Sequence, residues 1–255
     1  MLTTPVIPNE CGFSLRHHPS LPAGNVAYVT DLDPDETRGA GPAQRVVLIH
    51  GAATTSRVWR RVSPLLRSFD VVVPDRPCSG DLRAEVAALR QQCTGALVVG
   101  VSGGATLGLA LAAAGVPMTA ALLHEPAVGS LLPGLLDSVR RAYAAGGVGA
   151  FARALYGPAW TDAEAPADPA AVGRDLAMFA AFEPTAPAPV MRAGQVIITV
   201  GECSPAIRHD SVSRLAGRFG YPAWVVPGAG HAVHLTHPAE LTALIRRASA
   251  GSPAD

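Results

Sequence analysis

Short apolar runs of strand length recur along the chain, and most are followed by a stretch with helical spacing. The clearest runs are Arg45 to His50, Phe69 to Val73, Ala96 to Val99, Thr119 to Leu123, Gln195 to Val200 and Ala223 to Val226. Helices are expected over Ser56 to Arg67, Asp81 to Gln91, Ala105 to Ala114, Ser211 to Phe219 and Ala239 to Ala248. Strands that alternate with helices predict an α/β fold with a mostly parallel central sheet flanked by helices on both faces. Two weaker segments, Gly12 to His17 and Asn25 to Asp31, fit a leading antiparallel pair. The alternation breaks between 126 and 193, where there is no convincing strand. Helical pieces at Ser130 to Ala145, Val148 to Tyr156 and Ala170 to Phe182 are jointed there by prolines. A core of 1–125 and 194–255 with a helical lid or cap of 126–193 over the carboxyl edge of the sheet is the organisation expected.

Gly95 to Leu123 carries no charge and has the length of a membrane span. Its internal glycines and the sequence Gly115-Val116-Pro117 instead divide it into strand, turn, helix and strand, as buried parallel strands with their packing helices require. With 49% hydrophobic and 16% charged residues, a 255-residue chain has enough apolar material for a sizeable core. A formal net charge of +0 and a pI near 7.1 give no reason to expect nucleic acid or an anionic membrane as partner. The first residues have neither a basic nor an apolar signal region. Cys11, Cys78, Cys93 and Cys203 form no C-x-x-C pair. Reduced thiols and a cytoplasmic location are therefore expected.

Chemistry concentrates at the ends of the apolar runs. Directly after Ala96 to Val99 comes Gly100-Val101-Ser102-Gly103-Gly104, a G-x-S-x-G pentapeptide between a strand and a small-residue helix. A sharp strand-to-helix turn holds its apex residue in a strained conformation, and small neighbours let the helix pack back over the strand. Ser102 is the candidate nucleophile. In a chain with 26 glycines the pentapeptide alone also fits a plain glycine-rich turn.

The other strand ends add to it. His50-Gly51-Ala52-Ala53 can aim a backbone N–H at a developing oxyanion; Ala52 is the expected donor, with Gly103 as the second. Pro227-Gly228-Ala229-Gly230-His231 places a histidine late in the chain on a glycine-flanked loop. His231 is thus the candidate base that would activate the serine. His234 would line the site or pack, and Cys78 would fill space beside it.

These three segments, in this order and each after a strand, resemble the α/β-hydrolase fold superfamily in its serine-nucleophile branch, over about Val46 to Arg246. Asp75-Arg76-Pro77 fits the same pattern. The resemblance implies a Ser-acid-His triad, an acyl-enzyme route and no metal or redox cofactor. It also implies an Asp a few residues beyond Gln195 to Val200, but the chain reads Gly201-Glu202-Cys203-Ser204-Pro205, with Ser204 at that place. A histidine base needs a partner on its second nitrogen. Glu125, in His124-Glu125-Pro126 at the end of the strand beside the elbow strand, is preferred, because some relatives place their acid there. Glu202 and Asp210 remain alternatives, Asp210 doubling as a helix cap.

The expected activity is acyl transfer through Ser102 from a small ester or thioester. Water as acceptor gives a hydrolase; an alcohol, amine or thiol gives an acyltransferase. A coenzyme A or carrier-protein thioester is a possible donor, and natural-product biosynthesis a setting suggested by composition. Aromatic residues within 126–193 suit an apolar acyl pocket. A non-catalytic ligand-binding relative of the same fold is the alternative.

Overall fold

The computed structural model describes residues 26–28, 43–192 and 195–251. Its strands are β1 (Val26–Tyr28), β2 (Arg45–Ile49), β3 (Asp70–Val72), β4 (Leu97–Val101), β5 (Ala120–His124), β6 (Val196–Gly201) and β7 (Ala223–Val226). They form one sheet in the order β1-β7-β6-β5-β4-β2-β3, and every neighbouring pair is parallel. Of the expected leading antiparallel pair, Gly12 to His17 lies outside the described residues, and Val26 to Tyr28 pairs on its described side in parallel with Ala223 to Val225. With helices on both faces, every position of β4, β5 and β6 is buried. Each fully buried Val, Leu or Ile there contributes about 1.5–3 kcal/mol relative to exposure.

The helices are α1 (Leu82–Cys93), α2 (Gly103–Ala113), α3 (Asp137–Tyr156), α4 (Ala170–Ala180), α5 (Ala206–Phe219), α6 (Val233–Thr236) and α7 (Pro238–Ser249). Helix α1 starts where Asp81 accepts hydrogen bonds from the N–H groups of Arg83 and Ala84. It buries Val86, Leu89 and Cys93 along one stripe. Helix α7 does the same with Leu241, Leu244, Ile245 and Ala248. Helix α2 has no polar side; it is buried through Ala112, against β4, β5 and β2 on one flank and α1 and α4 on others.

Three expected helices are revised. Ser56 to Arg67 forms two short 3-10 turns, Ser56–Trp59 and Ser63–Leu65, since Pro64 has no N–H for an α-helical bond. The helix expected from Ser130 starts only at Asp137, and it kinks at Gly146 and Gly147, close to the break foreseen between Ala145 and Val148. Helix α5 begins directly after Pro205, so Asp210 is an exposed residue within it and not its cap. The expectation of reduced thiols throughout is also corrected. Cys78 and Cys93 are free and buried, but Cys203 is disulfide-bonded.

The chain reverses its direction of travel across the sheet between β2 and β4. Crevices of this kind at the carboxyl edge collect ligands in open parallel sheets. The segment between β5 and β6 holds α3, α4 and short 3-10 turns, and it is bonded to the loops at that edge. Trp160 Nε1 donates to Ala53 O at 2.9 Å and Arg174 Nε to Cys78 O at 3.1 Å. Arg60 pairs with Glu164, and Arg76 with Asp175. Among the described residues no helix is long and apolar enough to cross a membrane.

Candidate active site

Ser102 stands at the turn from β4 into α2 with φ 58° and ψ −120°, a backbone conformation strained for a residue with a side chain. The flanking glycines follow from contact. A Cβ on Gly100 would collide with the Gly104 carbonyl, and one on Gly104 with the Ile49 carbonyl of β2. The turn is pinned by Ser102 N–H donating to His124 O at 2.8 Å. Gly103 opens α2, so its N–H has no acceptor within the helix. The Ala52 nitrogen lies 3.3 Å from where a Gly103 Cβ would stand. The two expected oxyanion donors are therefore side by side next to Ser102.

Glu125 follows β5 in a second strained conformation, φ 49°, with its N–H bonded to Thr199 O. Its carboxylate is fully buried and well satisfied. Oε2 accepts from His231 Nδ1 at 2.7 Å; Oε1 accepts from Gly201 N–H at 3.0 Å and from the Ser204 hydroxyl. Burial opposes its ionisation, but His124, His231 and the Arg208 guanidinium outweigh that and hold the carboxyl well below the usual carboxylate range. Of the three acids foreseen, the structure brings only Glu125 to His231. Glu202 is exposed and accepts from Gly228 N–H at 2.8 Å. Ser204, at the place where Asp was expected, holds the carboxylate supplied by the neighbouring strand.

His231 projects from the loop after β7. Burial first, then the charge of Arg208, lowers its imidazole to about 4, against a partial rise from Glu125. The ring is neutral at pH 7, and its contact with Glu125 places the proton on Nδ1 and leaves Nε2 as acceptor. Nε2 has no hydrogen-bond partner among the described residues. The Ser102 side chain instead interacts with the hydroxyl of Tyr156, which also donates to Ala52 O at 2.9 Å. The Ser102 hydroxyl and Nε2 are thus not hydrogen-bonded to each other, and resting sites of this chemistry are often loose in this way. His234 packs between Trp59 and Tyr156, with ring centroids at 5.2 and 5.9 Å. Cys78 is buried and its thiol is pushed up to about 11 by that burial, so it holds no thiolate at neutral pH.

Beside Ser102 lies a cavity of only about 20 Å³, room for about one water. Its walls include Phe151, Leu155 and Phe179 from the 126–193 segment and, on the polar side, Thr106, Glu125 and Arg208. Phe179 sits directly over Gly103. A guest larger than a water would have to displace those walls. Arg208 was not foreseen as a site residue, Ser204 carried a signal only as an anomaly, and Tyr156 was foreseen only as one of the aromatics of 126–193. Among the described residues, no group of three or more His, Cys, Asp or Glu side chains is placed to hold a metal ion.

A family model described as the alpha/beta hydrolase family matches residues 46–244. Solved structures share the fold at low identity. A lipase-esterase related protein from Clostridium acetobutylicum is 11% identical, with a TM-score of 0.63 over 81% of this chain and 94% of its own. A thermophilic esterase from Thermogutta terrifontis is 18% identical, with a TM-score of 0.58 over 83% and 91%. A thioesterase domain of the curacin biosynthetic pathway is 17% identical, with a TM-score of 0.54 over 82% and 93%. A search of curated proteins finds no match.

Proposed function

The chain belongs to the alpha/beta hydrolase family, and on that footing we propose that it is a serine-dependent acyl-enzyme catalyst acting on a small ester or thioester. The observation that carries the reading is the Glu125–His231 contact at 2.7 Å beside a strained Ser102. Ser102 Oγ attacks the substrate carbonyl carbon while His231 Nε2 takes its proton. The oxyanion that forms accepts hydrogen bonds from the N–H groups of Ala52 and Gly103. Collapse breaks the carbonyl-to-leaving-group bond, and the leaving alcohol or thiol departs with the proton from His231. An acceptor deprotonated by the same nitrogen then attacks acyl-Ser102, and the serine leaves with that proton. Glu125 stays ionised throughout and stabilises the imidazolium.

An esterase and a thioesterase domain among the structural neighbours fit both substrate classes. Water as acceptor makes the protein a hydrolase. The apolar cover of Phe151, Leu155 and Phe179 favours a second acceptor by excluding water, which would make it an acyltransferase drawing on a coenzyme A or carrier-protein thioester. In either case 126–193 acts as a lid. Incubation of the wild type and Ser102→Ala with a panel of acyl thioesters, read by intact mass, tests the proposal. A serine-dependent acyl adduct that clears in buffer supports the hydrolase; one that clears only with an added alcohol, amine or thiol supports transfer. Identical spectra from the two proteins contradict both.

A further inference from the structure

Two arginines are buried at the carboxyl edge of the sheet, and they are used differently. Arg76 is saturated: its guanidinium donates to the carbonyls of His50 and Gly51 and pairs with Glu85 and Asp175. It ties the 126–193 segment to the core. Arg208, in the first turn of α5, is 7% exposed and has no comparable set of partners. Its nearest carboxylate oxygen, Glu125 Oε2, is 3.7 Å from Nε, beyond hydrogen-bond distance. Among the described residues its guanidinium donates no hydrogen bond. Nor does Glu125 lack donors, since Gly201, Ser204 and His231 already serve both of its oxygens.

A largely buried guanidinium whose donors the protein does not take up is available to an acceptor that enters beside it. Arg208 lines the same cavity as Ser102 and Gly103. The remainder of that wall is apolar apart from Thr106 and Glu125, so a guest entering the cavity meets one cationic side chain, whose guanidinium is a planar fork. That fork matches a carboxylate.

We propose that Arg208 is a substrate-binding residue that receives a carboxylate on the acyl portion. The substrates would then be short hemiesters or hemithioesters of dicarboxylic acids. The short spacer follows from Ser102 and Arg208 sharing a cavity with room for about one water before the lid shifts. This inference rests on the acyl-enzyme reading for the position of the scissile carbonyl.

Binding and turnover separate the two claims. In a Ser102→Ala background, calorimetry compares monomethyl glutarate with its neutral isostere, methyl 4-carbamoylbutanoate. The hemiester is expected to bind about tenfold to a hundredfold more tightly. Arg208→Gln in that background should abolish the advantage, and Arg208→Lys, which keeps the charge but not the fork, should restore part of it. Melting curves verify that each variant is folded. Equal binding of the two ligands, binding of neither, or an advantage that survives Arg208→Gln would overturn the proposal. Turnover of p-nitrophenyl glutarate by the wild type is the separate arm. Preferential binding without serine-dependent turnover leaves the subsite standing and removes the catalytic reading. Turnover of neutral esters without a preference for the hemiester does the reverse.

Discussion

Replacing Glu125 by Gln changes no more than one atom of the side chain, yet the surrounding donors dictate a large effect. The Gly201 N–H is fixed by the backbone and points at Oε1 at 3.0 Å, so the amide oxygen of Gln must occupy that position. The amide NH₂ then takes the place of Oε2 and faces His231 Nδ1, which is 2.7 Å away in the wild type. Two donors cannot share that contact. The imidazole responds by moving its proton to Nε2, the nitrogen that must accept from Ser102, and its cationic form loses a carboxylate partner. In serine proteases a carboxylate-to-amide change of this kind costs about 10⁴ in kcat. Glu125→Gln should lower kcat by about 10³–10⁴, or about 4–5.5 kcal/mol of transition-state stabilisation. KM should change little, because the carboxylate does its work after binding. The assay is steady-state hydrolysis of an activated ester at pH 7, with the melting temperature as a control for folding. Glu202→Gln, an exposed change, should stay within about twofold of the wild type. Activity of Glu125→Gln within tenfold of the wild type, or an equal loss in Glu202→Gln, would refute the reasoning.

Other consequences follow from burial and strain. Asp175→Ala removes a carboxylate from a buried pair and leaves Arg76, among the described residues, with Glu85 at 3.4 Å as its acidic partner. Loss of a few kcal/mol is expected in urea unfolding, at or somewhat below the usual 3–5 for breaking a buried pair. Gly104→Ala drives a methyl into the Ile49 carbonyl and should cost about 3 kcal/mol or more, along with the activity. His231 has an ordinary value of 6.5 lowered to about 4 in the fold, so the unfolded chain binds its proton first as pH falls. Its contribution to stability is complete above about pH 6.5 and is lost progressively down to about pH 4, at up to about 1.4 kcal/mol per pH unit. His50, lowered to about 3 by burial and then by Arg76, adds to the same acid loss. In activity, kcat/KM should rise through about pH 4 and then level, since the free base must be neutral.

The period of the apolar runs carried most of the fold, because buried parallel strands leave continuous apolar signatures that turns and helices interrupt. It failed where other forces set the geometry. Pro64 turned a helical pattern into 3-10 turns. Ser102, Ala52, Gly103 and His231 were legible because glycines and strand ends fix them locally. Glu125 was legible only as a preference, since its distance from His231 depends on the pairing of β5, β6 and β7. Arg208 carried no signal, and Tyr156 only the general one of an aromatic within 126–193. An arginine early in a helix and a tyrosine near the end of another look like ordinary residues until tertiary packing brings them to the serine.

The central claim is that Ser102 is a nucleophile activated by His231. Its most direct measurement is the rate of covalent labelling by a fluorophosphonate probe, with the modified peptide identified by mass spectrometry. The account predicts a single adduct on Ser102, absent from Ser102→Ala and slowed by at least about 10³-fold in His231→Ala. Labelling that persists in Ser102→Ala, or proceeds at an unchanged rate without His231, would contradict it.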